Sequence, residues 1–129
     1  MSVRKILVVD DSPTDQHYLR ELLGKQGYQV MLASGGEEAL AKAKADPPDL
    51  ILMDVVMPGL NGFQATRQLT QDSATRHIPV IMLSSKDGLF DRARGSIVGA
   101  DEYLTKPFTR DGLLQAVRHY AGHGRSPAR

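Results

Sequence analysis

The sequence predicts an α/β fold in which one parallel sheet carries helices on both of its faces. Five short, mostly apolar runs alternate along the chain with longer stretches of helical periodicity, as in repeated strand–helix units. Most of these runs lack a strict alternation of apolar and polar residues, which is typical of strands that are covered on both faces. Right-handed crossovers then place the intervening helices on both sides of the sheet. The runs are residues 5–9, 29–33, 50–54, 79–83 and 101–105.

Signals for five helices fill the gaps between and after the apolar runs. Ser12 before Pro13 is typical of an N-cap followed by proline at the first helical position, and Asp15 stands at the third position of a capping box. Gly27 marks the end of this helix. The second predicted helix starts at Ser34 with Glu37 and ends at Pro47-Pro48, and the third starts at Asn61 with Gln64. The fourth extends from Asp87 to near Gly99, and the fifth from Thr109 to near Gly122.

Length and charge limit the classes of function that this chain can have. Its 129 residues fit one domain, which we place at residues 1–122, followed by a tail, residues 123–129, that is predicted to be disordered. The formal net charge is +1 and the charges are interspersed, whereas a nucleic-acid-binding protein typically carries a basic stripe. We therefore expect no nucleic-acid partner.

The absence of cysteine excludes disulfides, thiolate metal sites and cysteine nucleophiles. The chain starts with a basic and then apolar stretch, MSVRKILVVDD, which superficially resembles a secretion signal. Its apolar run spans only about five residues before two aspartates, which is too short for a signal peptide or a membrane span. We expect a cytoplasmic protein with no membrane insertion.

Three carboxylates are expected to meet at one edge of the predicted sheet. Asp10 and Asp11 follow the first strand, and Asp54 ends the third. In a doubly wound sheet, ligands bind beyond the carboxyl ends of the strands, so these acids would converge if the two strands are neighbours. Their mutual repulsion favours a cation between them, and this cation should be hard because every donor is an oxygen. The sequence therefore predicts a Mg²⁺ site.

The ends of the last two strands add a hydroxyl and a cation. Ser84 follows the fourth strand and Lys106 follows the fifth. A carboxylate, a divalent cation, a hydroxyl and an ammonium around one point suit the transfer of a phosphoryl group, in which positioning and charge neutralisation supply most of the catalysis. Asp54 is the natural nucleophile, because it is single, central and at a strand end, and carboxylates elsewhere form aspartyl-phosphates.

Each of these features has an ordinary structural explanation when it is taken alone. Two aspartates after a strand are more typical of a turn and a helix cap, and Ser84 or a Lys-Pro pair is common in loops. The joint pattern favours function, because an acidic pair, an aspartate, a hydroxyl and a lysine each stand at the end of a different strand, in order.

Four segments, VVDDS, LMDVVMPGLNG, PVIMLSSKD and DEYLTKPF, resemble the receiver (CheY-like) domain of two-component response regulators. The resemblance extends over about residues 4–121, and its set of motifs is specific. It implies a flavodoxin-like (βα)5 doubly wound fold with five parallel strands in the order 2-1-3-4-5. It also implies a phosphoacceptor signalling protein rather than an enzyme, with at most self-catalysed phosphotransfer and autodephosphorylation.

The resemblance implies a phosphoacceptor, a Mg²⁺ site, a phosphoryl-pairing cation and a two-residue switch. The phosphoacceptor would be Asp54, and the phosphoryl-pairing cation would be Lys106. The Mg²⁺ site would consist of Asp10, Asp11 and Asp54 with the backbone carbonyl of Val56. The switch would consist of Ser84 and Tyr103. Ser84 stands where threonine is commoner in the family, and both side chains carry the hydroxyl. In the family the bond between Lys106 and Pro107 is cis.

The resemblance also implies two partners. A histidine kinase of the chemotaxis type would donate the phosphoryl group, and a downstream protein would bind the face formed by the fourth predicted helix, the fifth strand and the fifth helix. The segments DVVMPGLNGFQATRQLTQD and SSKD further resemble single-domain regulators of type IV pilus twitching motility.

Several alternative functions remain open. A flagellar chemotaxis-type regulator and a phosphate sink share the same site residues, whereas a receiver that signals without phosphorylation is disfavoured by the complete acidic set and Lys106. A phosphatase of the haloacid dehalogenase type needs a second aspartate where Val56 stands. A flavodoxin needs a loop rich in serine and threonine where this chain has carboxylates.

Overall fold

Five parallel strands form one sheet at the centre of the structure, a computed structural model that describes residues 4–55, 57, 59–84, 93 and 98–121. Their order in the sheet is β2-β1-β3-β4-β5, which confirms the expected doubly wound topology. Every neighbouring pair of strands is parallel. The strands are β1 (Lys5–Val9), β2 (Gln29–Ala33), β3 (Leu50–Asp54), β4 (Val80–Ser84) and β5 (Glu102–Thr105).

The last two strands begin one residue later than the predicted runs. β4 begins at Val80, because Pro79 has no N–H to donate to the ladder. β5 begins at Glu102, and the preceding Asp101 bonds Val80 twice: its N–H donates to the Val80 carbonyl at 2.8 Å, and its carboxylate accepts the Val80 N–H at 2.9 Å. Ser84 therefore ends β4 rather than following it.

The described helices are α1 (Pro13–Lys25), α2 (Gly36–Ala45), α3 (Gly62–Gln71) and α4 (Arg110–Ala121). The helix α4 is the fifth helix predicted from the sequence. The fourth predicted helix, from Asp87 to near Gly99, lies largely outside the described residues, as do Gly122 and the predicted tail. Within the described part of the chain, no helix has the length and apolar character that a membrane span requires.

Side-chain caps begin three of the four described helices at the predicted positions. In each case an oxygen of the capping side chain accepts the N–H of the third helical residue, which satisfies one of the free donors at the helix start. In α3 the bond is reciprocal, because Gln64 also accepts the Asn61 N–H at 3.0 Å. The capping residues are Ser12 for α1, Asn61 for α3 and Thr109 for α4, at 3.3, 2.9 and 2.9 Å.

The predicted capping box of Ser34 with Glu37 is wrong. Gly35 is the N-cap of α2 and makes no side-chain bond. Glu38, at the third helical position, instead accepts the Ser34 N–H at 2.8 Å. The prediction was displaced by one residue because Gly35, rather than Ser34, occupies the extended N-cap position.

The helices bury two apolar layers, one on each face of the sheet. On one face α1 and α4 contribute side chains such as Leu19, Leu23 and Leu113. On the other face α2 and α3 contribute side chains such as Ala39 and Phe63. Because the central strands are covered on both faces, β3 and β4 are apolar up to their last residue. The predicted placement of helices on both faces is confirmed.

Candidate functional site

The strand register brings the carboxyl ends of β1, β3, β4 and β5 together. Asp54, the last residue of β3, pairs with Leu83 of β4. Asp10 directly follows β1, whose last residue pairs with the β3 residue before Asp54. Ser84 ends β4, and Lys106 directly follows β5. Because the carboxyl ends of parallel strands meet at one edge of the sheet, these side chains share the region in which doubly wound folds bind ligands.

Asp10, Asp11 and Asp54 form a compact group of carboxylates, as predicted. One oxygen from each lies within 4.8 Å of the others. Asp10 and Asp54 are only 2% and 7% exposed, whereas Asp11 is open to solvent. Three carboxylate oxygens around one partly buried space fit a hard divalent cation such as Mg²⁺, which prefers oxygen ligands. Val56, whose carbonyl was the other predicted ligand, lies outside the described residues.

Lys106 brings positive charge to this group of acids. Its Nζ lies 3.2 Å from Asp54 Oδ1 and 3.3 Å from Asp10 Oδ2. The backbone is also held, because the Lys106 N–H donates to the Ser84 carbonyl at 2.6 Å. The bond from Lys106 to Pro107 is cis, as the resemblance implied. Lys106 is therefore placed to balance part of the negative charge at the strand ends.

The pKa values of Asp54 and Lys106 are both raised, but for different reasons. The pKa of Asp54 rises from 3.8 to about 6, and burial is the largest cause of this rise. The Lys106 ammonium lowers the pKa of Asp54, whereas the Asp10 and Asp11 carboxylates raise it further. At Lys106 burial disfavours the ammonium, but the carboxylates of Asp54, Asp10 and Asp15 outweigh it and raise the pKa. A cation bound beside Asp54 would favour its ionised form.

Hydrogen bonds fix Asp10 and the loop that follows it. The Asp10 N–H donates to the Ala33 carbonyl at 3.0 Å, and its Oδ1 accepts the Ser12 N–H at 2.9 Å. Gln16 Nε2 donates to the Asp10 carbonyl at 2.6 Å and to the Ala33 carbonyl at 3.3 Å. Asp10 Oδ2 therefore faces Lys106 from a segment that these hydrogen bonds hold in place. The sequence predicts Ser12 as a cap, whereas the supporting role of Gln16 is visible only in the structure.

Gly62, the first residue of α3, permits a close approach to the end of β3. A Cβ at this position would lie 2.2 Å from the Asp54 carbonyl oxygen and 2.9 Å from Val55 Cα. The Gly62 N–H also donates to the Val55 carbonyl at 3.0 Å. Since both neighbouring atoms belong to the backbone, a larger residue would displace the strand end that carries Asp54.

A further carboxylate, which the sequence did not place in the site, lies near Lys106. Asp15 Oδ2 lies 3.4 Å from Lys106 Nζ, although Asp15 was predicted only as part of a helix start. The available signal was its place in the first turn of the helix that follows β1, because this turn lies over the same edge of the sheet. Beside it lies a groove of about 240 Å³ lined by Asp15, Tyr18, Leu19, Lys106, Pro107 and Phe108.

Ser84 and Tyr103, the two residues of the predicted switch, lie on neighbouring strands. Ser84 is 1% exposed and pairs with Thr105, while Tyr103 pairs with Met82. The two positions are therefore two residues apart along the ladder and belong to the same face of the sheet. Tyr103 is buried in the apolar layer beneath α2 and α3.

Comparison with known proteins identifies the family. A family model described as the response regulator receiver domain matches residues 6–118. Protein PilH of Pseudomonas aeruginosa is 50% identical over 113 residues, which is 88% of this chain and 93% of that protein. Protein PilG of the same organism is 48% identical over 114 residues, which is 88% of this chain and 84% of that protein. A crystal structure of the receiver domain of sensor histidine kinase PA1611 from Pseudomonas aeruginosa is also similar, with a TM-score of 0.86 and 33% identity. The match covers 94% of this chain and 99% of that one. That structure is described with a magnesium ion coordinated in its active site cleft. The chain thus belongs to the response regulator receiver domain family.

Proposed function

We propose that this chain is the phosphoacceptor of a two-component phosphorelay and that Asp54 takes the phosphoryl group. The observation that supports this most strongly is the place of Asp54, at the end of a central strand, beside two further carboxylates and 3.2 Å from the Lys106 ammonium. A carboxylate in this position serves as a nucleophile and also as part of a cation site. The chain then acts as a signalling protein that modifies its own side chain, with at most self-catalysed phosphotransfer and autodephosphorylation.

Asp10, Asp11 and Asp54 would hold Mg²⁺, together with the Val56 carbonyl that the resemblance implies. The all-oxygen donor set and the close grouping of the three carboxylates support this assignment. The magnesium ion described for the PA1611 receiver domain supports it as well. When bound, Mg²⁺ neutralises the clustered charge and polarises the oxygens of the phosphoryl group.

The transfer itself needs little covalent chemistry from the protein. A carboxylate oxygen of Asp54 attacks the phosphorus atom of a phosphohistidine; the O–P bond forms as the P–N bond breaks, and the imidazole of the donor leaves. Lys106 balances the charge on the phosphoryl oxygens, because its ammonium already lies beside Asp54. The product is an acyl phosphate on Asp54.

We assign the response to Ser84 and Tyr103. Ser84 ends the strand beside the one that carries Asp54, and Tyr103 belongs to the same face of the sheet as Ser84. Movement of the Ser84 hydroxyl toward the phosphoryl group would leave space for the Tyr103 ring. Phosphorylation would in this way shift the population of two arrangements of the neighbouring surface.

The surface that responds would bind a downstream protein. It comprises β5, α4 and the fourth predicted helix. Most of that predicted helix lies outside the described residues. Between β5 and α4 the structure has a groove of about 460 Å³, whose lining includes Glu102, Leu104, Gln115 and Tyr120. The Tyr120 hydroxyl donates toward the Asp101 carbonyl at 3.1 Å and toward Glu102 Oε1 at 3.2 Å. A partner that enters this groove would contact side chains held by β5.

We propose further that a chemotaxis-type histidine kinase donates the phosphoryl group in the cytoplasm and that the chain controls type IV pilus twitching motility. Similarity to PilH and PilG over most of both proteins supports this setting. A reconstituted mixture of the kinase, this chain and a sibling regulator separates two roles. A chain that drains phosphoryl groups from the sibling is a phosphate sink, whereas a chain that is phosphorylated without depleting the sibling drives an output of its own.

Transfer of radioactive phosphate tests the assignment of Asp54. The wild-type chain should gain label from the phosphorylated kinase in the presence of Mg²⁺, and either Asp54→Asn or EDTA should prevent this. Asp72→Asn is a matched control, because Asp72 is a carboxylate at the end of α3 and outside the three-acid group, and it should be labelled like the wild type. Stable labelling of Asp54→Asn at the wild-type level would overturn the proposal.

A further inference from the structure

We propose that Asp15 is a positioning residue that competes with the phosphoryl group for Lys106 and thereby weakens the phosphorylated form; this inference rests on the function proposed above. The Lys106 ammonium has three N–H donors, and three carboxylates surround it. Its distances to Asp54, Asp10 and Asp15 are 3.2, 3.3 and 3.4 Å. A phosphoryl group that arrives at Asp54 must therefore take a donor that another carboxylate already uses.

Asp15 is the competitor that phosphorylation leaves in place. Asp54 loses its own charge to the phosphoryl group when the acyl phosphate forms, and Asp10 belongs to the three-acid group that would hold the cation. Among the described residues, the group of possible cation ligands does not include Asp15. Its side chain is 48% exposed and its carboxylate lies 3.4 Å from Lys106 Nζ, so it would still attract Lys106 when the site is filled.

The backbone holds Asp15 in this position. Asp15 lies in the first turn of α1, where its N–H donates to Ser12 Oγ at 3.3 Å and Pro13 fixes the start of the helix. The Ser12 N–H in turn donates to Asp10 Oδ1 at 2.9 Å. One short loop therefore sets both Asp10 and Asp15 relative to Lys106, and the contact of Asp15 is part of the same hydrogen-bonded unit as the acidic group.

Binding of beryllofluoride, a mimic of the phosphoryl group, in the presence of Mg²⁺ tests the competition. Asp15→Asn should bind the mimic about two- to fivefold more tightly than the wild type, since partly exposed ion pairs contribute on this scale. Asp15→Glu keeps the charge and should return the affinity toward the wild-type value. Glu21→Gln removes the same charge from an exposed position later in α1 and should leave the affinity unchanged. Affinity in Asp15→Asn equal to or weaker than wild type would overturn the inference.

A double-mutant cycle in EDTA gives a readout that needs no metal. The change in unfolding midpoint caused by Asp15→Asn should disappear when Lys106 is replaced by Met, because the two side chains act on each other. A residue that served only as a helix cap or as bulk charge would give the same change in both backgrounds, which contradicts the inference. A wild-type chain that binds no beryllofluoride would overturn the proposed function, and the competition with it, even where this cycle shows that Asp15 and Lys106 are coupled.

Discussion

Lys106 Nζ lies 3.2 Å from Asp54 Oδ1, although the two residues are 52 positions apart in the chain. The contact joins the ends of β3 and β5 across β4. Burial, with smaller contributions from the Asp10 and Asp11 carboxylates, still holds the pKa of Asp54 at about 6, although the Lys106 ammonium lowers it. The stability of the metal-free protein should therefore depend on both partners of this contact.

Replacement of Asp54 by Asn should stabilise the metal-free protein near neutral pH. Because the pKa of Asp54 is about 6 in the folded state and 3.8 ordinarily, the stability linked to this group is fully present below the ordinary value and is lost as pH rises through the folded value. We expect a gain of roughly 1–3 kcal/mol in the free energy of unfolding near pH 7.5, shrinking toward zero near pH 4. Urea unfolding in EDTA across this range measures it.

Asp72→Asn provides a control of opposite sign. The Ala74 N–H and then Lys44 lower the pKa of Asp72, so the stability from this group is present at neutral pH and is lost as pH falls. The control variant should be less stable than the wild type near pH 7.5. A loss of stability in Asp54→Asn at that pH would contradict the raised pKa of Asp54 in the folded state.

Lys106→Met should destabilise the metal-free protein, because it leaves Asp10 and Asp54 without their cation. We expect a loss of roughly 1–3 kcal/mol near pH 7.5, less than for a fully buried pair because Lys106 is partly exposed. The loss should shrink in acid, where the carboxylates bind protons. Chemical unfolding measures it, and Lys25→Met, an exposed lysine at the end of α1, should change the free energy by less than about 0.5 kcal/mol. Equal effects of the two substitutions would show that Lys106 makes no special contribution.

Gly62→Ala and Gly24→Ala should have opposite effects although both place alanine in a helix. At Gly62 the new Cβ meets the backbone of Asp54, so we expect a destabilisation of about 1–3 kcal/mol or more. At Gly24 nothing lies within 4 Å, and helix propensity should stabilise α1 by up to about 1 kcal/mol. Thermal unfolding compares the two variants. A neutral Gly62→Ala would mean that α3 does not fix the end of β3.

Ser84→Ala should separate phosphorylation from the response. The variant keeps Asp54, Lys106 and the acidic pair, and it should still bind beryllofluoride with Mg²⁺. In the wild type, binding should change the NMR signals of the Tyr103 ring. In Ser84→Ala this change should become smaller by at least about half, because the hydroxyl that shifts the population between the two arrangements is absent. Ser84→Thr restores the hydroxyl and should restore the change. An undiminished change in Ser84→Ala would remove Ser84 from the switch.

The site residues that could be predicted from the sequence are those whose positions are determined by the ends of strands alone. Asp10, Asp54 and Lys106 follow or end apolar runs, and parallel strands bring such residues to one edge whatever the details of packing. Asp15 and Gln16 could not be found in this way, because their contacts depend on the direction in which α1 leaves the sheet. The start of α2 was misplaced because N-cap preference ranks serine above glycine, whereas Gly35 occupies the N-cap position in the structure. The roles of Val56 and of the fourth helix stay predictions.

The proposed phosphotransfer requires that Asp10, Asp11 and Asp54 together hold Mg²⁺. Titration of the ¹⁵N-labelled chain with Mg²⁺, followed by NMR, measures this binding. We predict saturable shifts that are largest for amides at the ends of β1 and β3, and an affinity at least about tenfold weaker in Asp10→Asn and Asp11→Asn, since each removes a charged ligand. Shifts that do not saturate, or equal affinity in the wild type and both variants, would contradict the claim.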